Sequence, residues 1–338
     1  MSLRLTTTAP AKPATQIPAP PVPSTAHLDK VGYLFGFPIA HSLSPLLHGT
    51  IYDSLSLNYE QHLFETSSLS ACLPLMHSPK FYGASVTMPF KVAIMPHLDA
   101  LTPEAEAIGA VNTVFLLPST DGRRRLCGTN TDCIGIREAV LQNSPPAKIA
   151  AMKGKPGMVI GGGGTSRAAV YALKRFLGCS VIYLVNRDKS EVDAVIAECS
   201  SKGFGQSLVW VGSVAEAEAL EKPGVVISAI PDFPPNTEEE IRARRTIEVI
   251  LEKGEKGDKG VLLEMCYSEG PNTQIAGLSR ERDWQVVGGT EAMIWQGLEQ
   301  DRVWLNREVN TLPIERVKNV IGAEVTRRVK AKEARPKL

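Results

Sequence analysis

The chain has 338 residues, enough for two domains of ordinary size, each able to bury its own core. Hydrophobic residues make up 43% and charged residues 22%, the balance of a soluble globular protein, and no apolar run is long enough to span a bilayer. A formal net charge of +1 leaves no broad field to gather nucleic acid or an anionic membrane, so any anionic ligand has to be held by a local site.

The first 26 residues are rich in Pro, Ala, Thr and Ser and lack the apolar centre of a signal peptide, which predicts a disordered tail on a cytoplasmic protein. Order is predicted to begin with the apolar run VGYLFGF (31–37), a buried strand. Ser44-Pro45 then reads as a helix start, Ser at the N-cap and Pro at the first helical position, with the helix running to about Leu55. A strand at NYEQHLFE, a short helix over 69–76, and the strand GASVTMP with Lys91 just beyond it follow. A short helix over 104–109 and the strands VNTVFLL and RRLCGTN complete an α/β unit with an expected, largely parallel sheet.

Asp132, at the N-cap position of the helix CIGIREAVLQN, opens the second half. The Pro/Gly/Lys-rich stretch SPPAKIAAMKGKPG reads as a break near a domain boundary. Beyond it, MVIGGGGTSRAAVYALKRFLG reads as strand, glycine turn and helix, closed by Gly178, and CSVIYLVNR as the next strand. The helix EVDAVIAECSSKG and the strands GVVISAI and GVLLEMCY continue the pattern. A charged insertion (231–260) between the last two strands predicts one exposed helix and a solvated loop over 252–259. The run GGTEAMIWQGLEQDRVWLNREVN reads as one long helix or two, and the basic end of the chain as a frayed terminus.

Glycines at 161–164 between a strand and a helix allow a sharp turn and close approach to a pyrophosphate, which the helix N-terminus then stabilises. The expected dinucleotide contacts are Gly161, Gly162, Gly163, Gly164, Thr165 and Ser166, the last standing where a third glycine is usual. At the end of the next strand lie Asn186, Arg187 and Asp188; an arginine there favours a 2′-phosphate and an acidic residue a ribose hydroxyl, so both NAD and NADP stay open. The six cysteines contain no Cys-x-x-Cys pair, and the six histidines all fall between 27 and 97 without ligand spacing, which predicts no metal. With no histidine beyond position 97, a lysine in a closed cleft is the available proton acceptor for alcohol oxidation.

Four runs occur in order: GFPIAHSLSP (36–45), SVTMPFK (85–91), GAVNT (109–113) and GTNTD (128–132), followed by the glycine turn and by Gln296 in a late helix. This chain resembles the shikimate/quinate dehydrogenase family along about residues 31–325, most closely its stand-alone fungal quinate dehydrogenases. The resemblance implies an α/β substrate-binding domain over 27–131, completed by a C-terminal helix (289–330), and a Rossmann-type doubly wound NAD(P) domain over 132–288, with a cleft between. It implies Lys91 and Asp132 as the catalytic proton-relay pair, Ser42 and Ser44 on the substrate carboxylate with Thr87 close by, and Asn112, Tyr267 and Gln296 on the substrate. Oxidation of quinate, with NAD slightly favoured and shikimate also accepted, is the leading expectation. An NADP-dependent shikimate dehydrogenase and a non-catalytic sensor of either acid are the alternatives. Each residue also has a structural reading: Lys91 as a surface lysine, Asp132 and Ser44 as caps, Asn112 as a turn residue, Tyr267 and Gln296 as packed polar groups, and Met88 and Met293 as core. Ser85 departs from the Asn found there in much of the family. No nucleic acid or membrane partner is indicated, and the sequence specifies no oligomeric state.

Overall fold

A computed structural model of the chain describes residues 20–117, 122–266 and 272–333. The first half runs β1 (Lys30–Gly36), α1 (Ser44–Ser54), β2 (Tyr59–Glu65), α2 (Leu69–Met76), β3 (Phe81–Val86), α3 (Phe90–Ala93), β4 (Ala100–Leu101), α4 (Pro103–Ile108), β5 (Thr113–Leu117) and β6 (Arg125–Thr129). Its sheet has the order β2-β1-β3-β5-β6-β4. β1 is parallel to both neighbours, but β5 pairs antiparallel with β3 and with β6, so the sheet is mixed where the strand–helix alternation predicted a largely parallel one. β3 and β5 are joined by a path through α3, β4 and α4, while β5 and β6 pair directly as antiparallel neighbours; residues 118–121 between them lie outside the described residues. Aromatic side chains dominate one face, with Tyr33, Phe35, Phe64 and Phe81 packed together and buried.

The second half runs α5 (Asp132–Gln142), α6 (Pro146–Met152), β7 (Gly157–Ile160), α7 (Gly164–Tyr171), β8 (Ile182–Val185), α8 (Lys189–Ser201), β9 (Leu208–Trp210), α9 (Val214–Ala219), β10 (Val225–Ser228), α10 (Glu238–Glu252), β11 (Val261–Glu264), α11 (Gln274–Glu281) and β12 (Gln285–Gly288), then α12 (Gly289–Leu305) and α13 (Ile314–Glu333). All pairings in its sheet are parallel, in the order β12-β11-β10-β7-β8-β9, a doubly wound Rossmann-type arrangement. The strands are short and continuously apolar because both faces are covered by helices, with the two cores on opposite sides. The order reverses between β7 and β10, and a ligand crevice forms outside the carboxyl ends of strands at such a point.

Several expectations change. The stretch read as a break contains α6, whose two prolines stand at its start, where missing N–H groups leave nothing unpaired. The charged insertion is a crossover, not an appendage: α10 buries Thr246, Ile247, Ile250 and Leu251 against the second sheet. Its loop is not wholly solvated either, since Lys259 is buried and its ammonium donates to the carbonyls of Leu251, Glu252 and Lys253 at the end of α10. Strand β9 and helix α9 lie in a stretch from which no element was predicted. The predicted tail falls largely on residues 1–19, outside the described residues, but at its end Thr25 and Ala26 hold Lys80 through their carbonyls. The basic C-terminus continues α13, and Arg328 donates to the carbonyl of His41 at 2.6 Å.

α12 ties the two halves together. It packs along α5, and Gly135 makes the approach close: a Cβ there would lie 2.9 Å from the Cβ of Gln296. On another face of α12, the buried pair His48 Nδ1 and Asp301 Oδ2 at 2.6 Å fixes α1 against it. Burial pushes the Asp301 carboxyl upward, opposed by the His48 contact.

Candidate active site

The loop after β1, the end of β3, and the starts of α3, α5 and α12 converge on a cavity of about 260 Å³. Ser42, Ser44, Thr87, Lys91, Asn112, Asp132 and Gln296 all line it, so seven of the eight expected substrate and catalytic positions meet in one place. The eighth, Tyr267, lies outside the described residues.

Lys91 sits at the second position of the one-turn helix α3, and its Nζ donates to Asp132 Oδ2 at 2.5 Å. Neither is a surface residue: their side chains are 18% and 16% exposed, and both line the cavity. Asp132 is not the cap of α5. Thr131 holds that position, and the Asp132 carboxylate is free to take Lys91 on one oxygen and the Asn112 amide, 2.8 Å away, on the other. The Asn112 carbonyl oxygen accepts the Thr131 backbone N–H at 2.8 Å, which fixes which end of the amide faces Asp132. Gln296 presents its carbonyl oxygen to Asn112 Nδ2 and to the Thr131 hydroxyl, both at 3.3 Å.

The cap expected at Ser44 is also absent. Leu43 stands at the N-cap of α1, Ser44 is the first helical residue, and its hydroxyl donates to Gln61 Oε1 at 2.7 Å. Ser42 accepts the Ser44 backbone N–H on its own oxygen at 3.2 Å. Met293 lines the cavity while Met88, expected in the core, is 69% exposed. Three buried polar residues of the site fall outside the predicted set: Gln300, which lines the cavity, and Gln61 and Thr113, which lie behind it. Gln61 and Gln300 occupy ordinary strand and helix positions with no motif around them, so only the three-dimensional pairing reveals them.

A second cavity, about 470 Å³, opens at the switch point between β7 and β10. Its floor is the glycine turn. Gly161 has φ +125°, and a Cβ there would lie 2.9 Å from the Ala229 carbonyl oxygen; at Gly162 a Cβ would lie 2.6 Å from Glu191. Gly163 and Gly164 have nothing within 4 Å of a built Cβ, so their open side offers the backbone of the α7 N-terminus to an incoming pyrophosphate. Ser166 is wholly buried and faces Gly161, so its side chain lies away from the crevice. Thr165, at the same turn, lines the first cavity, which places the two cavities on either side of one glycine loop.

Asn186 and Arg187 line the crevice; Asp188 does not. The Asp188 carboxylate caps α8, accepting the Ser190 N–H at 2.8 Å and its hydroxyl at 2.6 Å, and these bonds hold its pKa below the ordinary value. Two acidic residues do reach the crevice: Glu191, bonded to Asn186 Nδ2 at 2.6 Å, and Glu240. The Arg187 guanidinium is paired with Glu240. No group of His, Cys, Asp and Glu with metal-binding arrangement occurs among the described residues, and no described helix is long and apolar enough to cross a membrane. Five of the six cysteines are buried, and burial pushes the thiols of Cys72 and Cys179 up to about 12.

Residues 34–114 match the model of the shikimate dehydrogenase substrate binding domain. Over 326 residues, covering 92% of this chain and 99% of its relative, the sequence is 46% identical to a quinate dehydrogenase of Emericella nidulans. The chain belongs to the quinate and shikimate dehydrogenase family. Among solved structures of that family, the dehydroquinate dehydratase and shikimate dehydrogenase from S. pombe AroM is 32% identical with a TM-score of 0.70; the match covers 86% of this chain and 52% of that one, about half its length. A shikimate dehydrogenase from Thermus thermophilus, solved in complex with NADP(H) and shikimate, is 26% identical with a TM-score of 0.66, covering 87% of this chain and 99% of that one. The two six-stranded sheets described above are therefore the substrate-binding and Rossmann-type halves of this family's fold.

Proposed function

We propose that this family member oxidises a ring hydroxyl of quinate to give 3-dehydroquinate, accepting shikimate as a second substrate, and that NAD is its preferred acceptor. The observation that carries the catalytic reading is the Lys91–Asp132 pair at 2.5 Å, facing a cavity that shares the glycine turn with the dinucleotide crevice. The crevice fits a dinucleotide by its open glycines and the helix N-terminus behind them. When bound there, the nicotinamide supplies the hydride acceptor.

The chain's own residues do the rest. Lys91 Nζ takes the proton of the hydroxyl being oxidised, while the Asp132 carboxylate orients and stabilises the ammonium that results. Asn112 keeps the Asp132 carboxylate pointed into the cavity and, with Gln296, offers polar atoms to the neighbouring ring hydroxyls. Ser42, Ser44 and Thr87 line the part of the cavity formed by the β1–α1 loop and the end of β3 and hold the carboxylate end of the substrate. Tyr267 is assigned to the substrate on the family resemblance alone.

Charge in the crevice favours NAD over NADP. Arg187 stands where a 2′-phosphate would bind, but Glu240 already neutralises it, and Glu191 adds a negative charge to the same crevice. Both oppose a phosphate, and Glu191 rather than Asp188 is assigned to the ribose hydroxyls. Cytoplasmic location, and a unit made of residues 27–131 with 289–330 closing on 132–288, belong to the same proposal.

Lys91→Ala tests the proton-relay assignment. Turnover of quinate is expected to fall by about 10²–10⁴, while dinucleotide affinity, followed by nicotinamide fluorescence, changes less than about twofold. Turnover near the parent level in that variant overturns the assignment.

A further inference from the structure

In the wall of the substrate cavity an unbroken line of hydrogen bonds runs from Ser44 to Asp132, and the chemistry of the groups sets the direction of every one. Asn112 presents its amide N–H to Asp132 and its carbonyl oxygen to the Thr131 backbone N–H, so its orientation is fixed by a carboxylate and a backbone donor. Thr113 Oγ1 lies 2.7 Å from that carbonyl oxygen, so the Thr113 hydroxyl must donate to it. Its proton being used, Thr113 can only accept from Gln300, 2.9 Å away, which turns the Gln300 N–H toward Thr113 and its carbonyl oxygen toward Ser85. Ser85 then donates to Gln300 at 3.1 Å and accepts from Gln61 at 3.0 Å. That leaves the Gln61 carbonyl oxygen facing Ser44, and Ser44 donates to it at 2.7 Å. Gln61, Ser85, Gln300, Thr113 and Asn112 are all buried, and Gln61 and Thr113 do not border the cavity, so little water reaches these bonds.

The consequence falls on the two serines at the carboxylate end. A serine hydroxyl has one proton, and that of Ser44 is committed to Gln61, so toward the cavity Ser44 is a hydrogen-bond acceptor. Ser42 accepts the Ser44 backbone N–H, and among the described residues its own proton has no acceptor, so toward the cavity Ser42 is a donor. One donor beside one acceptor matches a carboxylate whose adjacent carbon carries a hydroxyl. The carboxylate takes the Ser42 proton, and the hydroxyl gives its own to Ser44. An acid with an alkene carbon at that position offers Ser44 only carboxylate oxygens or carbon, and leaves a lone pair unmatched.

We propose that Gln61, with Ser85 and Gln300 behind it, is a specificity-determining positioning residue: it holds Ser44 as an acceptor and so selects 2-hydroxy carboxylates such as quinate over the unsaturated shikimate. The proposal rests on the reading of the cavity as the substrate site. Gln61 is not among the residues lining the cavity, and it acts through Ser44.

The test uses the full chain, with quinate and shikimate as alternative substrates at saturating NAD⁺. Gln61→Met removes the acceptor and keeps the volume. The ratio of kcat/KM for quinate to that for shikimate is expected to fall about tenfold, through a higher KM for quinate at nearly unchanged kcat. In a Ser44→Ala background the same substitution should leave the ratio where Ser44→Ala puts it, because the acceptor is already gone. An unchanged ratio in Gln61→Met, or losses that simply multiply in the double variant, overturns the proposal. A measurement without any variant serves if Gln61→Met does not fold. On the parent protein, the saturated analogue with hydrogen in place of the C1 hydroxyl should bind about tenfold more weakly than quinate, and equal binding overturns the proposal. Absence of turnover with both acids in the parent protein would instead remove the functional reading on which the proposal stands.

Discussion

Two acidic residues show how placement alone separates roles. Asp132 lies at the open end of a cavity, touches a lysine and an amide, and is available to a ligand. Glu264, at the end of β11, is 3% exposed and accepts the Cys266 N–H and the Thr273 hydroxyl; burial pushes its pKa up to about 7. In the unfolded chain a glutamate titrates near about 4.3. The folded protein therefore holds this proton more tightly than the unfolded chain. Its contribution to stability is full below about pH 4 and is lost as pH rises through about 7. Glu264→Gln carries no such proton. Relative to the parent, the variant should gain stability between about pH 5 and pH 8, by at most on the order of 3 kcal/mol, followed as the difference in Tm across that range. A difference independent of pH would mean that Glu264 is ionised throughout. Residue roles of this kind were only half legible in the sequence. Lys91, Asp132, Asn112 and Gln296 stand in or beside short motifs, whereas Gln61 and Gln300 acquire meaning only when β2, β3 and α12 are brought together.

At the scale of elements, the glycine turn after β7 divides one sequence signal into two physical tasks. Gly161 is needed by the fold: its φ is +125°, and a Cβ would press on the Ala229 carbonyl. Gly163 is unconstrained by the protein around it, with open space where a Cβ would go. Gly161→Ala is therefore expected to lower the unfolding free energy of the ligand-free protein by about 1–3 kcal/mol. Gly163→Ala should leave it within about 0.5 kcal/mol and weaken dinucleotide binding instead. Thermal unfolding without ligand and a dinucleotide titration separate the two, and equal destabilisation by both would contradict the division. Elements with a strong apolar pattern, such as β7, β8, β10, β11 and α8, were readable at the sequence level, whereas the short β9 and β12 were not. The misses have separate causes. α6 hides behind two prolines that mark a helix start as well as a break. α10 looks like an exposed insertion because its first turns are charged, yet its last turns carry the apolar face that packs on the sheet. The caps expected at Ser44 and Asp132 each fall one residue early, at Leu43 and Thr131, and that shift leaves both side chains to the cavity.

For the molecule as a whole, a near-neutral charge leaves recognition to the cleft between two sheets. α12 spans that cleft, with Gln296 and Gln300 on the first cavity and Asp301 bonded to α1. The mixed first sheet was not predicted, because strand periodicity alone carries no direction. The measurement that bears most directly on the account is the initial rate of the purified protein with quinate and with shikimate, each with NAD⁺ and NADP⁺. The account predicts the highest kcat/KM for quinate with NAD⁺, lower but measurable rates for shikimate, and weak use of NADP⁺. A preference for shikimate with NADP⁺, or no turnover in any pairing while the acids and dinucleotides still bind, would contradict it.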